Sequence, residues 1–197
     1  MPRKLFCQLC PAAYAVSVAK QCAVRRRQDA AAHTPFCTRQ QALLPVVRGE
    51  LPVHIHAHRA DDIVTGIRIC KEFHLRYVIV HGTEGHLIPD LLAEEGAGVI
   101  TGPCLGDRSK PELVGQTLDN PALLHRAGVK IAICTDHPET PIQYLPLCAA
   151  MAVRGGLDPE EALAAITSSA AEIAGLSKRV GTLTPGQDAD VVVTSGH

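Results

Sequence analysis

Four short apolar runs lie between residues 53 and 136, and the segments joining them are too long for hairpin turns. The runs are VHIHA (53–57), RYVIVHG (76–82), AGVITG (97–102) and VKIAICTD (129–136). Antiparallel neighbours can close through a very short turn, whereas a parallel pair needs a crossover of about a dozen residues or more, usually helical. The joining segments have that character. In DDIVTGIRICKEFH (61–74), Ile63, Ile67, Ile69 and Phe73 approximate helical spacing, and Asp61 and Asp62 suit the positive end of a helix dipole. HLIPDLLAEEG (86–96) reads as a short helix stopped at Gly96. NPALLHRAG (120–128) sets Pro121 in a first helical turn after Asn120, with Gly128 beyond the end. A helical tail follows through LPLCAAMAVRGG and DPEEALAAITSSAAEIAGL. Uninterrupted apolar runs fit strands covered on both faces. The pattern predicts an α/β fold of parallel strands and crossover helices.

Composition narrows the class further. Hydrophobic residues make up 46% of the chain, aromatics only 3%, and there is no Trp, so the core must be aliphatic. A net charge of −1 argues against a general nucleic-acid or membrane-surface binder. No run approaches the roughly 18 apolar residues of a membrane span. Cys70, Cys104, Cys134 and Cys148 sit singly in apolar or loop segments, which suits a reduced, cytoplasmic protein.

Residues 1–49 differ from the rest. They carry eight Lys/Arg against one acid, Asp29, and half of the eight cysteines. We divide the chain into a basic, poorly structured leader, 1–42, and a folded body, 43–197. Gln8 and Pro11 interrupt the apolar core that a secretory signal would need. A transit peptide, rich in Arg and poor in acids, is a second reading of the leader. Cys7 and Cys10, with His33 and Cys37, have a spacing that a small zinc site could use.

The body holds a denser set of possible ligands. His54, His56 and His58 occupy alternate positions, and a strand sends alternate side chains to one face. Ligands in parallel α/β folds gather at the C-terminal ends of strands. His56 and His58 end the first run, His81 the second and Asp136 the fourth. A His–His–carboxylate set suits a divalent metal, zinc above all, and leaves room for water.

HIHAHRADDI, VIVHGTEGH, CTDHPETPIQYLPL and GTLTPGQDADVVV, in this order, resemble the second half of a metal-dependent amidohydrolase of the imidazolonepropionase-like group. The resemblance covers about residues 43–197. It implies a (β/α)8 barrel with a small composite β-sandwich, and hydrolysis of C–N bonds in small amides or cyclic amides. By position, it implies that His56 and His81 bind the metal and that Asp136 joins them. In relatives that aspartate takes a proton from the attacking water and passes it to the leaving nitrogen. His58 and Arg59 fall where relatives contact substrate or support the ligands. Glu84 could line the mouth of the site or be a loop residue, and His86 and His137 lie close in sequence, His137 being counted with the substrate or supporting residues. Arg59 could clamp a substrate carboxylate or pair with Asp61 or Asp62. His54, deeper in the strand, is expected to be structural. In GTLTPGQDADVVV the resemblance implies a turn at Pro185-Gly186 and a return strand toward the sandwich.

The family pattern also includes an N-terminal sandwich portion and a His-x-His pair on the first barrel strand. No such pair precedes residue 54, and the chain stops at TSGH. The expectation is therefore a half barrel, a truncated fragment whose open edges need a complementary chain or a second copy. Three functions stay open: a metal-dependent hydrolase, a half-barrel binding module without metal, and a zinc module built on the leader cysteines.

Overall fold

Every pair of neighbouring strands is parallel in the computed structural model of the protein, which describes residues 6–7, 38–193 and 195. The strands are β1 (Phe6–Cys7), β2 (Val53–Ala57), β3 (Tyr77–His81), β4 (Gly98–Thr101) and β5 (Ile131–Ile133), and their order in the sheet is their order in the chain. The helices are α1 (Thr38–Val47), α2 (Ala60–Glu72), α3 (Pro89–Glu94), α4 (Asn120–Arg126), α5 (Leu145–Arg154), α6 (Pro159–Ile166) and α7 (Ser168–Ile173). This is an α/β fold, a part of a parallel (β/α)8 barrel. Of the leader, residues 6–7 and 38–42 are described; Cys10, His33, Cys37 and the side chain of Cys7 lie outside the described residues.

Strand periodicity sorts the side chains. Ile55, Ile79, Val99, Ile131 and Ile133 face the helices, and pack with Ile63 and Ile67 of α2, Leu92 of α3, Leu124 of α4 and Cys148 of α5. Of these, Ile63, Ile79, Leu92, Leu124, Val99 and Cys148 are wholly buried. A smaller cluster on another face joins Val78 and Ala132 to Ile173 of α7, with Ile100 and Ala170 against it. Phe73 and Tyr77 pack against this core from partly buried positions, and close packing of aliphatic groups supplies most of the stabilisation.

Four details depart from the sequence expectations. The helix expected over 86–96 divides into a 3-10 turn at Gly85–Leu87 and α3, because Pro89 disfavours a helical conformation at Ile88, which has φ −135° and ψ 40°. The second half of the tail is broken at Thr167, φ −129° and ψ −94°, into α6 and α7. The fourth strand ends at Ile133, and the chain turns through a left-handed Asp136, φ 51°. The turn at Pro185-Gly186 forms, closed by Gln187 N–H donating to Thr184 O at 3.1 Å. The expected return strand after it does not: residues 189–193 have no sheet partner among the described residues, and Val192 and Val193 are 88% and 90% exposed. A strand requires a neighbour to satisfy its backbone, and none is placed there.

Ile79 should be the most sensitive point of the sheet. Ile79→Ala is expected to lower the unfolding free energy by about 3 kcal/mol, read from the shift in urea midpoint. Leu163→Ala, at a half-exposed position, should change it by less than about 0.5 kcal/mol.

Candidate metal centre

Register brings the candidate ligands to one end of the sheet. Ala57 lies beside His81, His81 beside Thr101, and Thr101 beside Ile133, so the C-terminal ends of β2 to β5 are level. His56 is the penultimate residue of β2, and His58 follows its last residue. Regular alternation would leave His81 on the face of Ile79, among the helices. Its backbone instead turns left-handed, φ 73°, and its ring lies against the other two. The His81 ring centroid is 4.4 Å from that of His56 and 4.5 Å from that of His58, stacked on the latter at 13°.

One ligand atom from each of His56, His58 and His81 lies within 4.8 Å of the others. Two of the rings, His58 and His81, also have an outer partner. His81 Nδ1 is 2.6 Å from Gly102 O, and a carbonyl only accepts, so Nδ1 carries the proton and Nε2 keeps its lone pair. His58 Nδ1 is 2.8 Å from Thr83 Oγ1. Burial pushes the His58 imidazolium down to about 4, helped by the neighbouring His81 and His56. Burial likewise lowers His81, opposed by its bond to Gly102. Burial that disfavours the charged form, together with a hydrogen bond at the outer nitrogen, suits His58 and His81 to the role of metal ligand. The donor set fits a divalent ion.

Asp136 joins this group from the β5 end. Its Oδ2 is 4.0 Å from His81 Nε2, and its side chain is half exposed. An open cleft of about 560 Å³ lies over the imidazoles, lined further by Asp107, Lys110 and Gln116 of the long loop and by Asp136 and Glu139. A second cavity, about 420 Å³, runs from His81 and Thr83 past Cys104 and Cys148. Burial and the neighbouring Cys148 thiol push Cys104 up to about 12, so it is no thiolate nucleophile at neutral pH.

The remaining sequence candidates fall elsewhere. Arg59 Nε and Nη2 donate to both carboxylate oxygens of Asp61, at 2.9 and 3.0 Å, on the exposed surface. Glu84 turns away from the cleft: its Oε2 accepts from Ala60 N at 2.9 Å, satisfying the first amide of α2. His137 is exposed and does not line the cleft. His54 is buried within β2. The ring of His86 is outside the cluster, and its backbone N–H donates to Asn120 Oδ1 at 2.9 Å.

Several supporting residues carried no sequence signal of their own. Asn120 is buried and its amide donates to Gly82 O at 3.1 Å and Thr101 Oγ1 at 3.3 Å, tying the loop after β3 to the end of β4. Thr83 is one of many threonines until its contact with His58 is seen. Gly102 could have been suspected from its place at a strand end. A Cβ there would lie 2.4 Å from Cys134 O, and φ is 118°, so only glycine sets that carbonyl before His81.

Burial of neutral His58 has a consequence for pH. The unfolded chain takes up a proton near 6.5 and the folded site only near 4, so stability falls as pH drops through that window. In metal-free protein the loss from this group should be on the order of 2 kcal/mol. His58→Asn should therefore flatten the stability profile between pH 6.5 and 4, measured by urea unfolding across the range; an unchanged profile would contradict a buried neutral ring.

Comparison with known proteins agrees with this architecture. The family model described as "Amidohydrolase family" matches residues 29–197. A solved amidohydrolase from Thermotoga maritima superposes with a TM-score of 0.90 at 38% identity, covering 94% of this chain and 49% of that one. The amidohydrolase tasK of Hapsidospora irregularis is 28% identical over 159 residues, 78% of this chain and 16% of its own length. An imidazolonepropionase of Maricaulis maris is 31% identical over 156 residues, 73% of this chain and 35% of its own. The chain thus spans less than half the length of each of these relatives. By the match over most of its length, it belongs to the amidohydrolase family.

Proposed function

We propose that this site hydrolyses C–N bonds of small amides or cyclic amides with the help of a divalent metal, zinc in the first instance. The observation that carries the reading is the convergence of His56, His58 and His81 within ligand reach of one another, with Asp136 at 4.0 Å from His81. His56 and His81 would hold the ion through their free nitrogens, with His58 beside them as a further donor or as a contact to substrate. Asp136 stands at the edge, where its carboxylate can reach both ion and solvent. The ion when bound supplies Lewis acidity, polarising a carbonyl and bringing the pKa of water toward neutrality.

The chain's own groups would move the proton. Asp136 accepts one from the attacking water as the new C–O bond forms, and returns it to the nitrogen as the C–N bond breaks. Its half-exposed position lets it swing between the two without large rearrangement. Thr83 and the Gly102 carbonyl keep His58 and His81 oriented throughout. The cleft of about 560 Å³ is suited to a small molecule. Among the described residues no helix is long and apolar enough to cross a membrane. The thiols of Cys104 and Cys148 are outside any disulfide, which supports a reducing, cytoplasmic setting. A complementary chain or second copy covering the sheet edges belongs to the same proposal, since β5 pairs only with β4 among the described residues.

Elemental analysis of the purified full chain after zinc addition and dialysis tests the reading. About one zinc per chain is expected, reduced to background by His81→Ala and retained by Asp136→Asn. Where amide hydrolysis is measurable, alone or with a complementary chain, Asp136→Asn should slow it at least about a hundredfold. Full retention of zinc by His81→Ala would refute the site as assigned. Metal lost only on Cys7→Ser or Cys10→Ser would move it to the leader.

A further inference from the structure

The cavity behind the His81 ring differs in character from the cleft above it. Its volume is about 420 Å³, and His81, Thr83, Gly102, Pro103 and Gln116 line both spaces, so the two adjoin at His81. Asp107, Lys110, Asp136 and Glu139 bring charge to the wall of the cleft. Among the described residues no Asp, Glu, Lys or Arg lines the inner cavity. Burial keeps Cys104 a neutral thiol, and a neutral thiol packs as a small apolar group.

Polar groups in this inner wall are engaged with one another. Thr83 Oγ1 meets His58 Nδ1 at 2.8 Å, and the Asn120 amide donates to Gly82 O and Thr101 Oγ1. Gln116 Nε2 donates to Pro103 O at 2.7 Å, and Cys104 Sγ to Cys148 O at 3.6 Å. Between them lie the aliphatic side chains of Leu118, Pro121, Ile133 and Ala152. A charged guest would give up its bonds to water here and meet no opposite charge, whereas an aliphatic guest gains the burial of its surface. Ile133, Cys148 and Ala152 are buried core residues that fix the floor of the space. Arg108 Nη2 donates to Gln116 O at 2.6 Å and ties the loop on the other side. The cavity is thus formed before any ligand arrives, and its closed floor suits a short branched group.

We propose that the inner cavity is a subsite for a short, uncharged aliphatic arm of the substrate, carried next to the C–N bond that lies over the imidazoles. That the arm belongs to a substrate rests on the hydrolase reading above. The selectivity comes from Cys104, Leu118 and Ala152, which neither hold the ion nor carry the proton.

The test is an NMR titration of the full chain with two neutral amides, acetamide and isobutyramide, with and without added zinc. Wild-type protein should bind isobutyramide roughly tenfold more tightly, the gain expected from burying two further carbons. Ala152→Val fills the cavity from the floor and Cys104→Leu from the loop, and each should abolish the preference. Cys104 is partly exposed, so Cys104→Leu keeps the test decisive should Ala152→Val destabilise α5. Val114→Ala, exposed on the same loop and outside both linings, should leave the preference intact. Equal binding of the two amides by the wild type, or a preference that survives in either folded filling variant, would overturn the assignment. So would its loss in Val114→Ala. Zinc content measured on the same samples judges the metal site separately. A chain that binds zinc without preferring isobutyramide loses only this inference, and one that shows the preference but takes up no zinc loses only the metal.

Discussion

The level ends of parallel β2 and β3 are the constraint from which the site follows. Parallel pairing sets Ala57 beside His81, and so puts His56, His58 and His81 within a few ångströms although they come from different crossover units. Parallel strands need helical crossovers, and those helices bury the far face of the sheet against Ile63, Leu92 and Leu124. The same connectivity leaves the loops at the C-terminal ends free to carry polar groups. These loops are stitched to one another by backbone bonds. Gly82 N donates to Ala57 O at 2.9 Å, Glu84 N to His58 O at 2.8 Å, and Cys134 N to Thr101 O at 2.9 Å. Each strand end is thereby positioned by its neighbour, and the imidazoles inherit that rigidity.

Electrostatics then select the state in which the rings coexist. His58 and His81 stack almost parallel, with centroids 4.5 Å apart, and two imidazolium ions so placed would repel strongly. Burial already disfavours the charged form of both. His58 and His81 are therefore both favoured as neutral rings near neutral pH. Asp136, in contrast, keeps one side in water. Buried His58 and His81 and a half-exposed acid thus lie side by side within one small site.

The parallel sheet was legible in the sequence because β-branched runs and crossover lengths are local properties. His56 and His81 were legible as strand-end residues for the same reason; Asp136 lies three residues beyond β5, and its turn brings it beside His81. What could not be read was direction. Arg59 and Glu84 stand close to the clustered histidines in sequence, yet Arg59 folds back on Asp61 and Glu84 reaches across to the first amide of α2. Both outcomes depend on which nearby backbone or side-chain group is unsatisfied, and spacing along the chain does not record that. Asn120 looked like a helix-start residue; its side chain is instead a three-bond clamp between loops, because burial at 3% exposure compels every polar atom to find a partner. ADVVV has the composition of a strand, but composition cannot supply the neighbouring edge.

Backbone conformation connects these strands of reasoning. His81 and Asp136 both adopt left-handed φ, 73° and 51°, a region that few residues other than glycine enter. His and Asp tolerate it better than β-branched or bulky residues do, at a cost on the order of 1 kcal/mol each. At His81 the conformation reverses the side the ring would otherwise take, and the bond from Nδ1 to Gly102 O offsets part of the cost. Gly102 can serve as acceptor only because it has no Cβ to meet Cys134 O. A local strain at one strand end is thus held by a missing side chain on the next strand, and the position of an imidazole nitrogen depends on both. Such coupling explains why a motif of a few residues can mark the site in the sequence while the geometry that makes it useful resides in its neighbours.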